Sequence, residues 1–502
     1  MRKLSLIIVM FFINVSVISA NIITVSQSGG GDYTTINAAL AAAVSGDVIQ
    51  IIDGSWYNET VTFTTPDSIT LEGVGDNKPT ISSATNNVIN INNYSITVRN
   101  LKLVVGSSGC SAIYIAADNA HIDNCEITAA LGATSSYGIR LTSSANNAVI
   151  ENCDIYNEYT STMNYGIYLD TINSNNVNRI QYNKIHNINI RGIWAYPPAQ
   201  YEADTYIVGN EIYDLSGGDG INISVKGGTQ KILYNTVYNC SGAGIYVNND
   251  NGLTYIYNNT LSKNTDGLYI SMQGSGFSYE IYNNIAYHNY SEDFNFNNMY
   301  STNTGSIRSE YNHHKVENTV GFSSNINYIY GNDIINEDPK FVDYQANNFE
   351  LLPDSGCIDT GKSLETYYAS EGYSFKYYGP IDRGAHEYFP PDESTVSSDD
   401  ADNVVAVNVD KHKLTPGSKV GIVIDKLDNI TSDDRVFLNV EIFDAKGRTV
   451  KSLIKSIVST SGNFQFQWDG TDNNNEYVSS GLYLIVITAG KTQQYEKIFW
   501  IR

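Results

Sequence analysis

The sequence predicts an all-β protein: a right-handed parallel β-helix of stacked coils, followed by a small antiparallel β-sandwich. Three observations predict it. Segments that begin Gly-Ile or Gly-Leu recur as GIRL from Gly138, GIYL from Gly166, GIWA from Gly192, GINI from Gly220, GIYV from Gly244 and GLYI from Gly267, a spacing of 23–28 residues. Each unit carries a second mark, an Asn just ahead of an aliphatic residue, at Asn124, Asn152, Asn183, Asn210, Asn235, Asn259 and Asn284. From Val404 the character changes. The runs VGIVI, VFLNVEIFD, NFQFQWDG, GLYLIVITAG and YEKIFWIR alternate with turn signals such as AKG and TDNNN.

One repeat is one coil of two or three short strands. A single coil cannot bury its apolar side, but a stack can. Strands then pair in parallel from coil to coil, about 4.8 Å apart. The recurrent Asn tolerates left-handed turns, and stacked Asn side chains can bond one another. Length varies between coils, and loops on one face absorb the variation. Ahead of the repeats, DYTTINAALAAA (Asp32 to Ala43) reads as one short helix. Thr34 or Thr35 would cap it, and Ile36, Leu40 and Ala43 share one side, so it would cover the first coil's open core. Asp338 to Tyr388 reads as closing coils, 389–403 as a polar acidic linker and 404–502 as the sandwich.

The first twenty residues, MRKLSLIIVMFFINVSVISA, have a basic start, an apolar run and small closing residues. This pattern reads as a secretory signal peptide, so a secreted or surface location is expected. No later stretch is apolar enough to span a membrane. The 53 acidic and 30 basic residues give a formal charge of −23, which makes nucleic acid a poor partner. Five Cys in 502 residues form no disulfide framework. Cys125 and Cys153 share an Asn-Cys-acidic-Ile context. They read either as stacked small core residues or as a disulfide between adjacent coils. The pair His313-His314 reads as a solvated turn, and a monomer is expected.

The repeat alignment also predicts an outward face. If the aliphatic after each Gly points inward, the next residue points out. That column is Arg140, Tyr168, Trp194, Asn222, Tyr246 and Tyr269. The next is Thr142, Asp170, Tyr196, Ser224, Asn248 and Ser271, and a third holds Lys226, Asp250 and Gln273. An aromatic stripe beside amides and carboxylates suits a sugar chain, whose C–H faces pack on rings while its hydroxyls need polar partners. It also suits a ladder that only stabilises the sheet. The loop WAYPPAQYEAD, Trp194 to Asp204, is the most distinctive insertion.

On these residues, about 23–388 resemble the secreted right-handed β-helix proteins of the pectate-lyase-like superfamily. GGGDYTTINAALAAAVSGDVIQIIDGSWYNETVTF is similar to the cap and first coil of many members. DPKFVDYQANNFELLPDSGCIDTG and GPIDRGAHEY look like the close of secreted β-helix proteins that carry a C-terminal sorting module. The tail, in FDAKGRTVKSLI, WDGTDNNNEYVSSGLYLIVITAG and KIFWIR, resembles the immunoglobulin-like domain of flagellar hook-capping proteins. Such domains also serve as sorting modules of type IX secretion, so the resemblance implies secretion machinery as a partner. For the body it implies a polysaccharide partner on the outer face of one sheet, but no particular reaction.

A lyase needs a base near the uronate α-proton and a cation for the carboxylate. Lys226, Arg191 and Arg140 are the cations, and Lys226 or a Tyr could be the base. Ca²⁺ held by Asp170, Asp219 or Asp250 could serve the same carboxylate. A hydrolase needs paired carboxylates, for which Asp170, Asp219, Asp250, Glu202 and Asp204 are candidates. The NTD, DD and GHG series of polygalacturonases and the Asp/Arg pattern of pectin esterases are missing from the sequence. The expectation is a polysaccharide lyase ahead of a hydrolase. The competing expectation is a non-catalytic surface protein that binds glycan or builds the envelope.

Overall fold

The computed structural model describes residues 20–75, 77–158, 162–170, 177–196, 204–315, 317–320, 324–364, 367–368 and 380–387. In the C-terminal part it describes 406–409, 413–414, 419–425, 435–444, 448–459, 464–473, 477–478, 481–489 and 492–500. Most of the expected signal peptide, the linker and the tip of the Trp194–Asp204 loop, including Glu202, lie outside these residues.

Three long parallel sheets make the body. Sheet A has 13 strands beginning with Ile22–Val25, sheet B has 12 beginning with Trp56–Asn58, and sheet C has 11 beginning with Val61–Phe63. Each coil between the two ends contributes one strand to each sheet, and every pairing within the stack is between sequential coils. The inward residues form one continuous core. On sheet C these are Ile139, Ile167, Ile193, Ile221, Ile245 and Leu268, all fully buried. The N-terminal helix is Ile36–Ala42, shorter than the sequence predicts. Thr35 caps it by accepting from the Ala38 N–H, and Ile36, Ala39 and Leu40 seal the first coil.

The turn between sheets A and B divides the recurrent Asn between two adjacent columns. One column takes the left-handed conformation: Asn124, Asn152, Tyr182, Gly209, Tyr234, Asn258 and Asn283. The next points inward and forms a buried amide ladder of Asn183, Asn210, Asn235, Asn259, Asn284 and Asn312. From Asn183 through Asn284, each Nδ2 donates to the Oδ1 of the next rung at 2.9–3.1 Å. Asn124 and Asn152 therefore do not align with Asn183, as the repeat suggested. The residues in register with Asn183 are Cys125 and Cys153. Both are buried free thiols, and Cys153 N–H starts the ladder by donating to Asn183 Oδ1 at 3.0 Å. No disulfide joins them.

The described residues of 338–387 are not closing coils. The stack ends at Ile334–Ile335. The chain then folds back as an antiparallel hairpin, Phe341–Asp343 with Asn348–Leu351. Phe341, Phe349, Leu351 and Cys357 pack on Tyr238 and Ile285 of sheet B, and Leu364, Tyr368 and Ile381 pack on Tyr206, Tyr257 and Tyr282 of sheet A. Arg383 donates to the carbonyls of Asn312 at 2.6 Å and Asn332 at 2.9 Å, and Asn258 Nδ2 donates to the Asp382 carbonyl at 2.8 Å. This strap thus covers outer surface on sheets A and B and the corner between them. Its apolar residues are spaced to pack against a side wall rather than to complete another coil.

His313 and His314 form a strand of sheet B and are buried, not solvated. Burial, then the charges of Arg383 and His314, hold His313 down to about 4. The C-terminal part has a three-stranded antiparallel sheet and a five-stranded sheet. Both contribute to a core that includes Val420, Ile422, Trp468, Ile485, Ile498 and Trp500.

Two predictions follow from the corner and its end. Asn235→Ala removes the acceptor of Asn210 N–H and Nδ2 and the donor to Ile207 O and Asn259. Several buried groups lose partners at once, so urea unfolding should show a loss of at least about 3 kcal/mol. The unfolded chain protonates His313 near pH 6.5, whereas the fold keeps it neutral to about pH 4. Stability present above pH 6.5 is therefore lost as pH falls toward 4, by up to about 3 kcal/mol. His313→Leu should flatten that part of the stability–pH curve measured by urea midpoints.

Candidate functional site on the outer face of sheet C

Sheet C carries the site because its outer surface lies away from the strap's packing on sheets A and B. The register runs Tyr114, Arg140, Tyr168, Trp194, Asn222, Tyr246, Tyr269 and Asn295, one residue per coil. The glycine ahead of each inward aliphatic is fixed by space. A Cβ on Gly192 would lie 2.6 Å from Ile212 Cγ2 and 2.7 Å from the Gly220 carbonyl. Gly138, Gly166, Gly220 and Gly244 meet the following coil as closely. Only a residue without a side chain lets the strand enter sheet C here.

This entry also turns out residues that simple alternation would place inside. Tyr137 and Tyr165, each just before its glycine, stand on the outer face at 5.3 Å and 18° to one another. The sequence reading missed both. Their signal is the repeated Tyr-Gly-Ile at 137–139 and 165–167, readable only once the glycine is known to break the alternation.

The rings form one cluster. Tyr165 lies 4.8 Å from Trp194, Tyr168 4.7 Å from Trp194, and Trp194 5.1 Å from Tyr196, all within 30° of parallel. Tyr196, 50% exposed, presents the open end of the cluster. Two arginines are threaded into it. The Arg140 guanidinium lies 5.3 Å from the Tyr137 ring and 5.8 Å from Tyr168, and pairs with Asp170. The Arg191 guanidinium lies 4.6 Å from the Trp194 ring and is 3.5 Å from Asp219. Asp219 also accepts from Asn222 Nδ2 at 2.6 Å and from the Ala243 N–H at 2.9 Å. Asn222 Oδ1 accepts from Ser224 Oγ at 3.0 Å. Beyond this row a second ring pair, Tyr246 and Tyr269, stacks at 5.3 Å, and Asn297 donates to the Tyr269 hydroxyl at 2.9 Å.

Sheet B offers a contrast. Tyr156, His186, Tyr213 and Tyr238 stack on it at 4.9–5.1 Å within 3° of parallel, and Phe349 of the strap lies 5.2 Å from Tyr238. That is a ladder that stabilises a sheet. The sheet C cluster differs in its larger interplanar angles and in being open at Tyr196.

The predicted catalytic residues do not converge. Arg140 and Asp170 sit at one place, and Arg191 and Asp219 at another. Lys226, exposed, and Asp250, half-buried, border two adjacent strands beyond the second column. Asp170 lies two strands from Asp219 and is held by Arg140, while Asp219 is held by Arg191, Asn222 and the Ala243 N–H, so each carboxylate is already an ion-pair partner on the face. Asp204 accepts from the Thr229 N–H at 2.6 Å, at the start of a sheet A strand. Burial raises the pKa of Tyr165, Tyr168 and Tyr246, which disfavours each as a base. Burial also raises Asp250, with Lys226 opposing. Among the described residues no three His, Cys, Asp or Glu side chains come together as a metal site. A Ca²⁺ bridge to a uronate therefore has no side-chain cluster of that kind to start from there.

Comparison with known proteins supports the fold. A family model described as a right handed beta helix region matches residues 80–261, and one described as the FlgD Ig-like domain matches 429–493. Pectate lyase Pel9A superposes with a TM-score of 0.54 at 14% identity, over 74% of this chain and 97% of that one. The catalytic unit of a thermostable GH87 alpha-1,3-glucanase from Streptomyces thermodiastaticus strain HF3-3 aligns at 12% identity and a TM-score of 0.38, over 60% and 66%. The enzymatically active domain of tailspike protein 2 of bacteriophage CBA120 aligns at 12% and 0.39, over 94% and 74%. No curated protein sequence matches the chain. The body is thus a right-handed β-helix of the pectate-lyase-like fold. No helix among the described residues is long and apolar enough to cross a membrane.

Proposed function

We propose that this is an exported carbohydrate-active protein that holds a polysaccharide chain across the outer face of sheet C. One observation carries the reading: the aromatic cluster ends in the half-exposed Tyr196 and is bordered by Arg191, Asp219, Asn222 and Ser224. Rings meet sugar C–H faces, and the amide, hydroxyl and charged groups meet sugar hydroxyls. Pectate lyase Pel9A, which shares the fold, acts on a polysaccharide, and that adds weight to the class of ligand.

Recognition without bond cleavage is the reading the geometry supports over β-elimination. Elimination would need a cation committed to the substrate carboxylate and a base beside it. Arg140 and Arg191 are each committed to an aspartate, and Lys226 stands about seven residues along the strand direction from Arg191. Affinity electrophoresis of wild type against a glycan panel should show retardation in at least one gel. Trp194→Ala with Tyr196→Ala should abolish it while thermal unfolding stays within a few degrees. The same samples should produce neither 235 nm absorbance nor new reducing ends. Unchanged retardation in the double variant would remove the face from consideration, and either product would restore an enzyme.

For the C-terminal sandwich we propose delivery to the cell surface, on its likeness to a hook-capping immunoglobulin-like domain. Deleting residues 404–502 should leave a folded β-helix by circular dichroism and stop its appearance outside the cell. Normal export of the shortened chain would sink this role.

A further inference from the structure

We infer that the glycan taken by this face is an uncharged polymer rather than a polyuronate. The inference rests on the proposed glycan face and adds its substrate class. The strands of sheet C from Thr134 to Met272, with their bordering residues, place three cations on or beside the face: Arg140, Arg191 and Lys226. Each is matched. Arg140 pairs with Asp170. Arg191 is 3.5 Å from Asp219. Lys226 stands in register beside Asp250, continuing the Val225–Asn249 pairing, and its charge acts on that carboxyl. Asp266, in the column of Arg191 and Asp219, adds a further negative charge. The face therefore has no positive excess, on a chain whose formal charge is −23.

A polyuronate carries one carboxylate on each sugar. Laying it on this face would set its charges against a neutral-to-negative surface in an acidic protein, and the long-range field would repel it before contact. A uronate would have to compete with an aspartate already in place for either arginine. Neutral sugars meet no such barrier. The face also carries rings, amides and hydroxyls, among them Tyr196, Ser224 and Asn297. They match polymers whose recognition is by C–H stacking and hydroxyl hydrogen bonds.

The test is affinity electrophoresis of the full chain in gels containing laminarin, galactomannan or linear arabinan, and in gels containing polygalacturonate or alginate. Each is run at low and at physiological salt, because screening weakens only the charged case. Wild type should be retarded by at least one neutral polymer, equally at both salts, and by neither polyuronate. Asp170→Asn with Asp219→Asn releases two guanidinium charges. It should gain retardation in polygalacturonate of at least about threefold at low salt, fading as salt rises. Asp170→Asn alone serves if the double variant does not fold. Retardation of wild type by a polyuronate at low salt overturns the inference and leaves the glycan face standing. No retardation in any gel overturns the glycan face as well.

Discussion

The buried amide ladder at the corner of sheets A and B is the interaction on which the rest depends. A coil of this fold buries main-chain polar groups at a sharp turn, where no strand can pair them. From Asn183 to Asn312, each Asn there accepts from the main chain of the preceding coil, and most also donate to the next amide. The ladder fixes the register at which successive coils sit. Register at this corner sets register on sheet C, because the chain between them is short. On sheet C the rings of successive coils meet at 4.7–5.5 Å, the spacing of neighbouring strands.

Much of this was legible in the sequence. The glycine-aliphatic spacing located every strand of the central part of sheet C, and the outward column from Arg140 to Tyr269 stands in register as read. What was not legible has physical reasons. Two adjacent columns, one needing left-handed backbone and one needing a buried amide, both favour Asn, and a single sequence blurs them. Tyr137 and Tyr165 escaped because the glycine ladder breaks the two-residue alternation on which the outward assignment rested. His313 and His314 looked solvated because a His pair is usually exposed. They are covered by elements far away in sequence.

The candidate site shows the same limit. Residue types along the face were correct, but partners were not readable. That Arg140 belongs to Asp170 and Arg191 to Asp219 is a matter of coil-to-coil distance. It ties two of the three cations to aspartates of the same face. The aromatic stripe on sheet B makes the point from the other side. It is a regular run of stacked rings, and its Tyr238 end is buried under Phe349 of the strap.

The strap has a consequence for how the molecule comes into being. Its hydrogen bonds reach back 79 residues from Lys362 to Asn283 and 126 from Gly384 to Asn258. The coils can stack one on another as they emerge, since each needs only its neighbour. The sheet B tyrosines that the strap covers have no cover until residues 341–357 exist, and those of sheet A none until residues 364–381 do. The body is therefore built like a row of staves that stands before its hoop is fitted, and the last stretch of chain determines when those two sides become dry.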